Sequence, residues 1–453
     1  MVDMEAASPV SHGDRSFRVT NRLVLSIAIP MTLGFVSTPL LGLTDTAVVG
    51  QTGRAADLAG LGLAAVLFDF LFSFTGFIRT STTALVAQAF GRGDEHEARA
   101  VFLRATGTGI IAGILILLAG PLILAAGERL LSPEPAAVAV VATYFSIRIL
   151  SSPMRLINDA VLGSVLGHGR AAVGLLLQTI LNGANIILAL TLGLALGFGV
   201  AGVAWATVAA ETLTALLGGG FVLAGFRRQA SPEWRKVFAW HEVRRLFAIN
   251  RDIMIRTLLL TSSFLIMTRI GAGLGTVILA ANGILMNFFM VTAFFLDGMA
   301  AAAEQICGRA LGALDRSAFR SAVRLTLFWS LALSGLLAAG TIVVGDHAIN
   351  FLTSAPDVRA EAATYLVWMA LTAMTGALAF QMDGVFMGTA WSREMRNMMI
   401  LSFIAFCAAV VTLPPMFGNH GLWAALNIFL LMRGLTLAAI LPRKSAQMFL
   451  PAQ

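Results

Sequence analysis

A chain of 453 residues that is 58% hydrophobic and only 12% charged departs far from the roughly 25% charged residues of an average soluble domain. With a mean hydropathy of +0.84, it reads as an all-α polytopic membrane protein. The net charge of +7 does not indicate nucleic acid, because the basic residues sit where an acidic lipid surface would meet them. Cys307 and Cys407 form no CxxC, so no disulfide framework, redox pair or metal site is expected.

A membrane-spanning helix needs about 20 mostly apolar residues. Twelve such segments are predicted: 22–50, 57–79, 101–126, 136–158, 171–195, 199–225, 250–271, 275–301, 322–345, 361–382, 397–416 and 421–441. They fall into an amino-terminal tail 1–21, a first six-helix bundle 22–225, a basic linker 226–249, a second bundle 250–441 and a carboxy-terminal tail 442–453. Asp3, Glu5, Asp14, Arg15 and Arg18 precede an apolar run too long for a signal core, so no cleavable signal peptide is expected.

The first span contains "GLTDTAVVG", residues 42–50, and Asp45 is its one ionisable side chain after Arg22. A straight helix would carry Asp45 about 34 Å from Arg22, close to the far interface, where a hydrated carboxylate is the plain reading. Pro30 and Pro39 lie in the same span; each removes a helical hydrogen bond and favours a bend, which would keep Asp45 deeper. Asp69 lies about halfway along the second span and Arg148 about halfway along the fourth, so a buried pair that fixes helix packing is geometrically open. The fifth span carries Asn182 and Asn185 on one face, and the sixth carries Thr207 and Glu211. Such groups often serve only as glue between helices; with Asp45 they outline a polar cavity.

Charged loops separate the spans. "GRGD", residues 91–94, matches a motif of intramembrane aspartyl proteases but lies beyond a span with no second acid facing it. "DEHEAR", residues 94–99, lacks the second histidine of a zinc site. No nucleotide-binding P-loop occurs, so no ATP hydrolysis is expected, and any transport would have to be driven by an ion gradient or be passive. The basic residues concentrate on alternate connections: Arg15, Arg18, Arg22, Arg92, Arg99, Arg104 and Arg170, the linker, then Arg309, Arg316, Arg320, Arg324, Arg393, Arg396, Arg443 and Lys444. The other loops hold Arg54, Arg129 and Arg359. By the positive-inside rule both termini are expected to be cytoplasmic, and the expected location is the cell inner (plasma) membrane.

The second half echoes the first at an interval of about 220 residues. "AQAFGR", residues 87–92, aligns with "EQICGR", residues 304–309, and "GVAGVAWA", residues 199–206, with "GNHGLWAA", residues 418–425. Two like halves form a duplicated transporter architecture. The alignment sets Leu265 or Ile266 opposite Asp45, so the second half lacks that acid; it has Asp297, Glu304 and Asp383 near inner ends and Arg433 in its last span. A stripe containing Met286, Phe289, Met290 and Phe294 fits either a substrate path or ordinary packing.

"LSIAIPMTLGFVSTPLLGLTDTAVVGQTG", "GFIRTSTTALVAQAFGRGD", "FFLDGMAAAAEQICGRALG" and "MDGVFMGTAWSREMRN" resemble the multidrug and toxic compound extrusion (MATE) family, DinF-like branch, in order and spacing over residues 20–440. The resemblance implies a V-shaped pair of six-helix bundles working by alternating access, not an enzyme. It implies export of cationic or amphipathic small molecules in exchange for protons, or for sodium, with no organic cofactor. It makes Asp45 the coupling residue, Asn185 and Thr207 its polar partners, and Pro30 the point of helix bending. Asn182 and Asp69 complete the expected ion-coupling set, and Asp383 matches an acid used in another branch. Some relatives carry a second acid where this chain has Ala189, which weakens a sodium site and favours the proton. A monomer is expected. The alternatives are sodium coupling and a flippase for lipid-linked precursors, which would want a cationic cavity.

Overall fold

The computed structural model describes residues 17–51, 53–131, 134–227 and 234–449. Residues 1–16, 228–233 and 450–453, which belong to the predicted tails and linker, lie outside the described residues. Eleven apolar helical stretches follow one another, and no strand occurs among the described residues. They are Asn21–Gly50, Ala55–Arg92, Glu95–Leu131, Pro135–Gly167, Ala171–Ala195, Gly199–Gly225, Trp240–Leu274, Thr276–Gly312, Arg316–Leu352, Pro356–Gly388 and Ser392–Met448. The last makes two passes. Gly418 takes φ 57° and ψ −135°, a conformation that a side chain would strain. The chain doubles back there: the rings of Phe406 and Phe429 lie 5.5 Å apart, whereas a continuous helix would separate them by about 34 Å. The twelve passes are referred to below as the first to twelfth spans.

Several helices run well beyond the apolar segments. The third, Glu95–Leu131, has 37 residues and is about 55 Å long, against a hydrocarbon core of about 30 Å. Hydropathy ends where charges begin, but the helix continues. Arg104 in this extension is held by Glu97 at 2.8 Å and by Glu242 at 3.3 Å, tying the third span to the start of the seventh. The "GRGD" loop is turn chemistry: Gly93, at φ 71°, closes the second span, and Asp94 accepts the Glu97 N–H at 2.9 Å to cap the third. On the outside, Leu118 and Leu122 of the third span and Leu336 and Val343 of the ninth are exposed, a surface suited to lipid rather than water.

Among the described residues, contacts between the two halves concentrate toward one end. The second and eighth spans, equivalent in the repeat, cross there. Gly91 faces the Arg309 carbonyl and Gly312 faces the Gln88 carbonyl so closely that a methyl group at either would collide. Gln88 Nε2 donates to the Gly388 carbonyl at 3.1 Å, and Arg79 lies 3.7 Å from Glu304. One apolar core runs through the crossing, joining Val24, Leu85 and Ala89 to Ile306, Phe319 and Phe386. Two other cores stay within single halves: Phe68, Tyr144 and Val203 belong to one, and Leu285, Trp423 and Phe429 to the other. The result is a V whose closed end is the basic end of the molecule. Both ends of the described chain lie there, with the Arg309 guanidinium 4.2 Å from the Phe17 ring and Phe449 5.5 Å from Phe319.

Candidate functional site

A cavity of about 560 Å³ lies within the first half and brings together Asp45, Asp69, Asn182, Asn185 and Thr207. Several of the helices that line it are locally irregular. The first span is continuous through Pro30 and is interrupted at Thr38. Pro39 has no N–H to give the Phe35 carbonyl, and the Thr38 N–H takes that acceptor at 3.2 Å. Asp45 lies on the short helix Pro39–Gly50 that follows. The fifth span passes from α-helix into a π-helical segment, Ala189–Ala195, one turn after Asn185, the kind of distortion that often marks functional sites. The fourth span breaks into a 3-10 turn, Ile149–Ser151, next to Arg148.

The hydrogen bonds leave acceptors free. Asn182 Nδ2 donates to Ser37 Oγ at 2.6 Å, and Ser37 donates to the Gly34 carbonyl at 2.7 Å, linking the fifth span to the interruption in the first. Thr207 donates to the Val203 carbonyl at 3.3 Å and so accepts Asn185 Nδ2 at 3.0 Å. The hydroxyl directions fix both amides with their oxygens unused. Asp45 Oδ1, Asn182 Oδ1 and Asn185 Oδ1 are all buried without a hydrogen-bond partner among the described residues. A buried acceptor in this condition costs free energy unless water, a proton or a ligand satisfies it.

The deeper part of the cavity was not foreseen. Arg155, Asn158 and Asp159 line it with Glu211. Glu211 is 4% exposed, accepts from Asn158 Nδ2 and lies 3.5 Å from Arg155. Arg148, Arg155, Asn158 and Asp159 recur at helical spacing on one face of the fourth span; ending the span at residue 158 divided that set. No ion pair within 4 Å joins Asp69 to Arg148 among the described residues. Arg148 instead donates to the Tyr144 hydroxyl at 2.8 Å and lies over the Phe68 ring at 4.7 Å.

The second-half candidates lie elsewhere. Asp383, 3% exposed, is held by Arg256 and by Arg433 and lines no part of the cavity. Phe289 is buried in the second half's own core, with Met286 packed beside it, while Met290 is 46% exposed. Phe294, one helical turn beyond Met290, is the eighth span's contribution to the cavity wall.

The MatE family model matches residues 30–216 and 253–414. The chain belongs to the MatE family. It is 36% identical over 423 residues to DNA damage-inducible protein F of Escherichia coli K12, covering 93% of this chain and 92% of that one. It is 27% identical over 455 residues to a probable multidrug resistance protein NorM of Rhizobium meliloti, covering 95% and 94%. Among solved structures, a MATE transporter in the bent conformation superposes with a TM-score of 0.85 at 18% identity, over 96% of this chain and 97% of that one. A MOP superfamily transporter from Pyrococcus furiosus superposes with a TM-score of 0.86 at 16% identity, over 94% and 96%. This MatE protein is therefore a multi-pass membrane transporter of small molecules and not an enzyme, and its V-shaped fold is that of the MATE transporters. The interval between the two matched stretches contains the linker.

Proposed function

We propose that the protein is a secondary antiporter that exports cationic or amphipathic organic compounds in exchange for protons, with Asp45 as the coupling carboxylate. The observation that carries this reading is the buried, unpartnered Oδ1 of Asp45 in a cavity shared with Asn185 and Thr207. Proton and organic cation are alternatives at one carboxylate: the first removes the charge and the second pairs with it. That competition is what exchange requires, because a ligand shifts a conformational equilibrium only by its difference in affinity for the two states. The groups that share the cavity with Asp45 are Asp69 of the second span, Tyr144, Arg148, Arg155 and Asp159 of the fourth, and Glu211 of the sixth, with Arg79 at the floor. Phe294 of the eighth span offers an apolar wall for the body of the substrate.

Sodium coupling has one observation in its favour, the three free oxygens of Asp45, Asn182 and Asn185. Hard cations take several oxygen ligands, and Ala189 supplies none from its side chain. A pyrophosphate-bearing substrate is disfavoured, since four carboxylates line the cavity beside three guanidiniums. The basic, closed end of the V is assigned to the cytoplasm and the membrane to the cell inner membrane, with the protein acting as a monomer. Efflux from proteoliposomes under a pH gradient or a sodium gradient alone tests the coupling: the reading requires efflux under the first and none under the second.

A further inference from the structure

Free acceptors of the cavity include Asp45 on the first span and Asn182 and Asn185 on the fifth, and Arg148 of the fourth span shares the cavity with them as a donor. Arg148 ends the helix Pro135–Arg148, and its carbonyl accepts the Ser151 hydroxyl at 2.8 Å as the chain turns through Ile149–Ser151. Its guanidinium lies 4.7 Å from the centre of the Phe68 ring and 5.5 Å from that of Tyr144. Both rings are only 1% exposed, so the bracket is rigid. Of the five N–H groups of a guanidinium, one is used, on the Tyr144 hydroxyl at 2.8 Å. No carboxylate lies within 4 Å of the group among the described residues, although Asp45, Asp69 and Glu211 line the same cavity. A guanidinium that served only to neutralise these acids would be paired with one of them. This one is held back from them by two aromatic faces, with its planar fork unfilled.

We propose that Arg148 is an anion-binding subsite of the transport cavity, so that the preferred substrates are zwitterionic amphipaths: a carboxylate or sulfonate on Arg148 and a cationic group at Asp45. The proposal rests on the assignment of Asp45 as the site for the substrate cation. A planar fork takes a carboxylate or sulfonate through two parallel hydrogen bonds. The aromatic bracket fixes the fork before the ligand arrives, so little side-chain freedom is lost on binding. The donor side and the acceptor side then select a molecule carrying both charges, and Phe294 and Phe72 bound the apolar space between.

Two fluorescent probes with permanent charges test this without interference from pH: a dansyl group ending in trimethylammonium, and the same dansyl group ending in a sulfobetaine. Binding is titrated with the purified full-length protein in lipid nanodiscs. The wild type is expected to bind the sulfobetaine about tenfold more tightly, the size of one charge-assisted hydrogen bond. In Arg148→Gln the ratio falls to about one, because the sulfobetaine loses affinity and the trimethylammonium probe does not. Should that variant fail to fold, Arg148→Lys, which keeps the charge and loses the fork, is expected to lower the ratio about threefold. A wild-type preference for the trimethylammonium probe, a ratio indifferent to Arg148, or an equal loss for both probes overturns the proposal. Asp45→Asn weakens both probes alike; if it weakens neither, the assignment of Asp45 fails, while the ratio still judges Arg148 separately.

Discussion

Asp45 and Asp383 are both acids of the membrane interior, and their surroundings give them opposite uses. Asp45 is half-buried, with one oxygen left free in a cavity. Asp383 is fully enclosed and held by two arginines, Arg256 and Arg433. Removing one partner of such a buried set leaves charge without compensation, which costs about 3–5 kcal/mol. Asp383→Ala is therefore expected to lower the thermal unfolding midpoint in detergent markedly, whereas Asp45→Asn leaves it near that of the wild type; a fluorescence-detected melting series on both variants makes the comparison. The candidates Asp45, Asn182, Asn185 and Thr207 were legible in the sequence because each is a polar residue isolated in an apolar run. Arg155, Asn158 and Asp159 were not, because a charge facing a polar cavity within a helix gives the same local signal as the end of a span. Asp383 could not be separated from a cavity acid either, since its two partners are far from it in sequence.

At the scale of elements, the irregularities fall where the cavity is. The interruption at Thr38, the 3-10 turn Ile149–Ser151 and the π-helical segment Ala189–Ala195 all adjoin residues that line it. The sequence announces the first through Pro39 and the second through Pro153, which has no N–H to give the Ile149 carbonyl; the π-helical segment contains no proline and arises from packing. Pro30 lies inside an unbroken helix in this state, and it removes the N–H that the Ser26 carbonyl would otherwise receive. Because a helix lacking that bond bends at less cost, Pro30→Ala is expected to slow exchange about tenfold or more with dye binding changed less than threefold. Parallel equilibrium titration and efflux measurements on the variant check the split, and equal losses in both would remove Pro30 from the conformational step. Helix ends show the same limit of legibility. The 37-residue third and eighth helices carry charged turns outside the membrane that hydropathy alone cannot assign to a helix.

For the whole molecule, the duplicated architecture was readable from repeats such as "AQAFGR" and "EQICGR". What the repeat could not give was how its copies meet. Gly91 of the second span and Gly312 of the eighth let those equivalent spans cross in backbone contact, and Gln88 reaches from the second to the Gly388 carbonyl at the end of the tenth. Alternating access requires this crossing to open, so tethering it should stop transport. With Cys307 and Cys407 replaced by Ser, Asn21→Cys on the first span and Trp329→Cys on the ninth, joined by a short bifunctional methanethiosulfonate across the same closed end, are expected to reduce efflux at least tenfold, with recovery after reductant; the two native side chains are in hydrogen-bond contact at 3.0 Å. The central claim is that one carboxylate exchanges protons for substrate, and efflux of a cationic dye from proteoliposomes after a pH jump tests it most directly. The wild type is expected to show efflux under a pH gradient with no sodium present, and an Asp45→Asn variant that folds and reconstitutes to the same level is expected to lose at least tenfold. Undiminished pH-driven efflux by Asp45→Asn would contradict it.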